Sequence, residues 1–298
     1  MNKGLSVTII FEAGSLNYGE GISNISELKK IHRRNGEVFT FASRQSIRYD
    51  IVRLGNELFD WNLDTVDKAS GVVQFKKDVT IKDSVEMDLF GYLKTDKQSK
   101  KRSAVVRLSH AISLEPYRSD MEFLNNMGLA ERINENPNIA NLEQHQSLYC
   151  YTATIDLSKV GVDKNDEIDI SKEKKAERVS QLLEIFKLLN RNIRGRQENL
   201  SPLFIIGGIY PIANPFFLGK AKIGSQKEEC CLMTSTIKDV MKQKISMQEI
   251  GDFTRIGLVD GIFANQNEIK EEFAEKVISI EEFFQKMSEE VKNFYEVI

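Results

Sequence analysis

Residues 147–157, SLYCYTATIDL, set Tyr149, Tyr151, Thr152, Thr154 and Ile155 in a run without glycine or proline. Aromatic and β-branched side chains pack well on a pleated surface, so this segment reads as a strand. A strand needs partners, and the rest of the chain supplies them. Residues 4–11 alternate Leu5, Val7, Ile9 and Phe11 with polar or small residues, the pattern of a half-buried strand. Residues 71–76, 85–93 and 203–209 (LFIIGGI) read as further strands. Two amphipathic helices fall between them. Residues 43–58 begin at Ser43, a good N-cap, and put Ile47, Ile51, Leu54 and Leu58 on one face. Residues 172–194 carry a second stripe through Ala176, Val179, Leu183, Phe186 and Ile193. Strand, helix, strands, insertion, strand, helix, strand is the succession of an α+β sandwich with a βαββαβ core. The basic loop 95–103, the mixed and partly helical stretch 119–146 and the Pro-containing loop 210–219 read as excursions from one domain. Residues 268–296 form an acidic amphipathic helix or helix pair.

Composition narrows the class. At 298 residues and 41% apolar the chain can bury a core without cross-links. Its cysteines are Cys150 and the adjacent pair Cys230 and Cys231, an odd count that suits a reduced, cytoplasmic protein. No CxxC occurs and His32, His110 and His145 are far apart, so neither a Cys/His zinc site nor a bound cofactor is expected. No run approaches the roughly 18 apolar residues of a membrane span, and the N-terminus shows no cleavage site of a signal peptide.

The net charge of −3 argues against a generic, strongly basic nucleic-acid binder. The charge is uneven, however. Residues 1–120 hold 19 basic and 16 acidic side chains, whereas 262–298 hold 4 and 9. Basic clusters occur at 29–53, at 94–107 (with Lys97, Lys100, Lys101, Arg102 and Arg107) and at 187–196. Each is a solvated face taken alone; three together in a near-neutral chain favour a polyanion surface.

Within 43–53, Arg44 and Arg48 sit beside the apolar stripe, with Gln45 further round, at the start of a helix where free N–H groups and a partial positive charge suit phosphate. Arginine adds a planar fork of donors. Surface pairing with Asp50 or Glu37 is the competing reading. Glu86 and Asp88, two apart on an expected strand, share one face and could hold Mg²⁺ or serve as acid and base; the polar face of an edge strand is the alternative. His110 follows Arg107 and suits a base or phosphate contact, or plain packing. The glycine loops 14–21 and 207–219 lack nucleotide-binding spacings. The second displays Tyr210, Phe216 and Phe217 on a Pro-stiffened hairpin, fit for stacking on bases or for packing on its own domain.

The runs SVTIIFEAGSLNYGEGISNISELKK, FASRQSIRYDIV, VEMDLFGYLKT, RSAVVRLSHAISLEPYRSDMEFL and SLYCYTATIDL, in this order, resemble the DevR branch of the CRISPR-associated Cas seven family. Its members form the backbone of type I-B Cascade surveillance complexes. The resemblance implies an RRM-like palm with helical fingers over 92–146 and a β-hairpin thumb over 203–223. It implies copies stacked along one crRNA, with other Cascade subunits as partners and target DNA reached through the guide. The expected RNA-binding residues are Asn17, Ser43, Arg44, Gln45, Arg48, Lys100, Lys101, Arg102, Arg107, His110, Tyr210, Phe216 and Phe217. Type III relatives cut RNA with a loop aspartate. Residues 13–36 contain Glu20 and Glu27 but no aspartate, so no nuclease activity is expected. The competing function is a metal-dependent RNA endonuclease centred on Glu86, Asp88 and His110.

Overall fold

The computed structural model describes residues 3–68, 71–95, 99–226 and 229–297. In chain order its main elements are β1 (Gly4–Ala13), β2 (Val38–Ala42), α1 (Arg44–Phe59), α2 (Val85–Phe90), β3 (Val106–Leu108) and β4 (Ala111–Ser113). Then follow β5 (Asp120–Asn125), β6 (Ile139–Gln144), β7 (Ser147–Asp156), α3 (Lys172–Lys187), β8 (Phe204–Tyr210), β9 (Arg255–Leu258) and α4 (Ile280–Tyr295). The central sheet runs β9–β8–β1–β7–β4–β2, with β3 also on β7, and these neighbours are all antiparallel. The protein is thus a mixed α+β fold. Among the described residues no helix is long and apolar enough to cross a membrane.

β1 is the middle of the sheet. Gly4 to Ala13 lie opposite Asp156 to Ser147 on one edge, and Gly4 to Ile10 lie opposite Tyr210 to Phe204 on the other. Leu5, Val7, Ile9 and Phe11 face α1, α3 and α4, whose Ile47, Ile51, Val179, Phe186, Phe283 and Met287 complete one core. Each such fully buried side chain contributes about 1.5–3 kcal/mol. The alternation suggested a half-buried strand; in fact the second face is covered too. Ile10, Phe204 and Ile206 pack there against Ile237, Ile269 and Phe273 from helices Thr234–Met241 and Gln266–Phe273. Thr8, which read as outward-facing, is buried and shares a 2.8 Å hydrogen bond with Thr152.

Several expectations are corrected. Residues 85–90 are a helix, because the Ser84 side chain caps it by accepting from the Met87 N–H, and Gly91 ends it at φ +75°. A Cβ at Gly91 would lie 2.5 Å from the Arg102 carbonyl oxygen, so only glycine fits this turn. The second amphipathic helix stops at Lys187; Ile193 lies instead in a hairpin, Asn190–Ile193 with Arg196–Asn199, turned at Arg194 and Gly195 in left-handed conformations. Leu58 is exposed despite its place on the stripe. The segment 92–146 is not all insertion, since β3 and β4 belong to the central sheet. Its projecting part is the β5–β6 hairpin, with only a short helical tip at Met127–Ala130 and Glu131–Ile133. Residues 203–223 do not form a hairpin. β8 is held between β1 and β9, the chain then turns, and the next hairpin is Ile223–Gln226 with Glu229–Leu232. Lys97 lies outside the described residues.

The helical form of 85–90 draws Asp88 into the interior, fully buried. Arg102 and Arg178 each approach its carboxylate at 2.7 Å, and the Gly161 N–H donates to both oxygens. Arg102 also donates to the carbonyls of Asp88, Lys159 and Val162. This ties α2, the 92–102 hairpin and α3 together. Arg102→Ala removes one of the two arginines on the buried Asp88 and the donor to three buried carbonyls, and should cost about 3–5 kcal/mol in chemical denaturation. Exposed Lys101→Ala should stay within about 0.5 kcal/mol of the parent.

Candidate nucleic-acid interface

The strand β2 ends at Ala42, and Ser43 opens α1. Its Oγ accepts from the Ser46 N–H at 3.2 Å, as its N-cap identity predicted. Asn17, from the loop after β1, accepts the Ser43 N–H on Oδ1 at 3.0 Å. His110, in the turn between β3 and β4, accepts the Arg44 N–H on Nδ1 at 3.1 Å. Asn17, Ser43, Arg44 and His110, distant in sequence, are therefore in one place. Lys29 joins them, since its N–H donates to the Asn17 carbonyl and its carbonyl accepts from the Phe41 N–H.

The loop carrying Asn17 is tied down on two sides. Arg191 reaches from the 190–199 hairpin to donate to the Leu16 carbonyl at 2.6 Å and to Asp50 Oδ2 of α1 at 2.6 Å. Asp50 is buried and also meets Arg53; desolvation raises its carboxyl pKa despite both arginines. On the other side Glu143 of β6 accepts the Leu28 N–H at 2.7 Å and pairs with Lys30 at 2.6 Å. Tyr18 donates to the Glu143 carbonyl, and Arg194 lies over the Tyr18 ring. Arg191 and Arg194, from the third basic cluster, thus hold the site loop.

The start of α1 differs from a bare helix end. The amides of Arg44 and Ser46 are engaged by His110 and Ser43, so among the described residues Gln45 contributes the first-turn amide that lacks a partner. The side chains of Arg44 and Gln45 are exposed. At about 100° per residue, Tyr49 lies within about 140° of Arg44 and away from the apolar stripe. It is 67% exposed.

Other expected contacts are placed differently. Arg48 is pinned by Glu86 at 2.6 Å and lies over the Phe90 ring. Arg102 is buried on Asp88 and is not a surface cation. Tyr210 and Phe217 are buried rather than displayed: turns at 214–220 fold the Pro-containing loop onto the second core, and Tyr210 hydrogen-bonds Thr254. Phe216 is partly buried, its ring 4.7 Å from that of Tyr210. Lys100 is paired with Asp166, Lys101 is exposed on the same hairpin, and Arg107 is exposed on β3 before His110. Glu86 and Asp88 share no strand face, because α2 turns them apart, one to Arg48 and the other into the core.

To accept the Arg44 N–H, His110 must leave Nδ1 unprotonated, which fixes the neutral ring with its proton on Nε2. Burial first, then the Arg44 and Lys29 charges, hold its pKa below the ordinary 6.5. The unfolded chain therefore takes up this proton before the folded one does. The contribution of His110 to stability is present above pH 6.5 and is lost as pH falls through the lower folded value. An NMR titration of the His110 ring should give a midpoint below 6.5; a midpoint above it would contradict this geometry.

A family model described as "CRISPR-associated negative auto-regulator DevR/Csa2" matches residues 5–219. No curated relative matches the sequence. Among solved structures, a chain of a "CRISPR RNA-guided surveillance complex" aligns with a TM-score of 0.52 at 12% identity, over 87% of this chain and 90% of that one. A chain of a "CRISPR RNA-guided surveillance complex, pre-nicking" aligns at 0.56 and 11% identity, over 95% and 100%. At these identities the likeness is one of fold.

Proposed function

The chain belongs to the CRISPR-associated DevR/Csa2 family, and from that premise we propose that it is a non-catalytic, crRNA-binding backbone subunit of a type I-B CRISPR surveillance complex. Copies of it line the guide together with other subunits of the complex, grip the phosphates and leave the bases to pair with target DNA. β8, β1, β7 and the β3–β4 pair, with α1 and α3, serve as the RRM-like palm. The β5–β6 hairpin is the finger, and the region after β8 is the thumb.

The observation that carries this reading is the assembly of Lys29, Arg44, Gln45 and His110 around the start of α1. Two cations, an amide donor and an unpartnered N–H converge there, the donor set that a phosphodiester needs and that reads no base edge. Both faces of the central sheet are covered, so RNA cannot lie across the strands as it does on an open RRM sheet. That leaves the helix end and its flanking loops. A net charge of −3 makes each grip weak, and repetition along one guide supplies avidity.

The competing endonuclease reading needs two carboxylates converging on a metal. The separation of Glu86 and Asp88, each held by arginine, disfavours it. A bound RNA target incubated with Mg²⁺ and pure protein should remain intact; cleavage lost on Glu86→Ala would reverse the assignment.

Arg44→Ala should weaken binding to a single-stranded RNA roughly tenfold, about 1.4 kcal/mol. It should also make the slope of log affinity against log salt shallower by about 0.7. Unchanged affinity and slope would remove Arg44 from the interface.

A further inference from the structure

His110 blocks part of the site it belongs to. Its Nδ1 accepts the Arg44 N–H at 3.1 Å, an amide that the first turn of α1 would otherwise leave without a partner. The Ser46 amide is held by Ser43. With a neutral imidazole, the site therefore offers a phosphate the Gln45 amide and the cations of Lys29 and Arg44, but not the Arg44 amide.

The surroundings of the ring decide its charge. His110 is exposed, and its ring lies against Phe41 of β2, the ring centroids 5.1 Å apart. The charges that act on it come from Arg44 on α1 and from Lys29 beside the Asn17 loop, and both are positive. Arg107, also exposed, stands three positions earlier on β3. Burial first, and then the Arg44 and Lys29 charges, oppose a proton on the imidazole, which leaves Nδ1 free to accept.

A phosphodiester reverses this balance. Once protonated, Nδ1 is a donor and cannot accept, so it and the Arg44 N–H become two donors 3.1 Å apart that repel each other. A phosphate oxygen between them accepts from both, and its charge offsets those of Lys29 and Arg44. The imidazolium adds a third cation, and the Arg44 and Gln45 amides then face the same anion.

Resting on the phosphate-binding reading above, we propose that RNA binding at the start of α1 takes up one proton, carried by His110 on Nδ1, so that the grip on the guide tightens in acid. The proton comes from solvent and returns there when the RNA leaves. The coupling is reciprocal: the factor by which protonation tightens RNA binding is the factor by which RNA strengthens the hold of His110 on its proton. A contact to phosphate reads no base edge, so the effect is the same for any guide sequence.

The test uses the full chain and a short oligouridine, whose base has no group that titrates in the histidine range. Affinity by fluorescence anisotropy should rise about tenfold from about pH 7.5 to about pH 5.5, and bound RNA should move the NMR midpoint of His110 up by about one pH unit. The slope of log affinity against log salt should steepen by about 0.7 over the same range, as one more cation meets the phosphates. His110→Asn keeps an acceptor for the Arg44 N–H but takes up no proton, so its affinity should vary by less than about twofold. His32 and His145 remain in that variant and report protonation elsewhere. Binding unchanged or weakened in acid, a His110 midpoint that RNA leaves in place or lowers, or an equal rise in the His110→Asn chain would overturn the proposal. The midpoint is read on the wild-type chain, so it decides the matter even where the variant folds poorly. Failure of the wild type to bind RNA at any pH would overturn the backbone reading as well, whereas pH-independent binding overturns the proton coupling alone.

Discussion

A buried carboxylate between two arginines holds the candidate site together. Asp50 projects from α1 into a nearly dry environment and meets Arg191 at 2.6 Å and Arg53 at 3.5 Å. Burial raises its carboxyl pKa, and the Arg191 hydrogen bond and charge, with Arg53, oppose that rise. Arg191 also donates its Nε–H to the Leu16 carbonyl, next to Asn17. The helix, the loop after β1 and the 190–199 hairpin are thus locked by one group, and Asn17 arrives where Ser43 needs an acceptor.

The second constraint is the double covering of the central sheet. An open sheet would offer strand faces to a ligand; here helices fill one side and the layer after β8 fills the other. Exposed polar groups are left to the rims, where Arg44 and His110 meet. Much of the acidic sequence lies in the β5–β6 hairpin and at the C-terminal end.

Much of the fold was legible in the sequence where local pattern and tertiary role agree. β1, β7 and β8, and the start of α1 at Ser43, follow from alternation, β-branched content and capping chemistry. Errors arose where an isolated cap or a distant layer decides the outcome. VEMDLF reads as a strand by composition, yet Ser84 and Gly91 close a single helical unit around it. Tyr210 and Phe217 read as displayed aromatics because the layer that buries them comes from residues 230–273. At the candidate site, residue type identified the Ser43 cap, and Arg44 and Gln45 are exposed on the helix it opens. It could not separate free cations from Arg102, whose carboxylate partner is fourteen positions away and became visible only once 85–90 was helical.

The central claim is that guide RNA passes the start of α1, between the Asn17 loop and the His110 turn. Photocrosslinking of the assembled complex to a guide containing 4-thiouridine, followed by mass spectrometry of the bound peptides, tests it most directly. Crosslinks concentrated at residues 17–30, 43–53 and 107–110 are the predicted result. Crosslinks confined to 120–144 or 211–222, with none around Arg44, would contradict it.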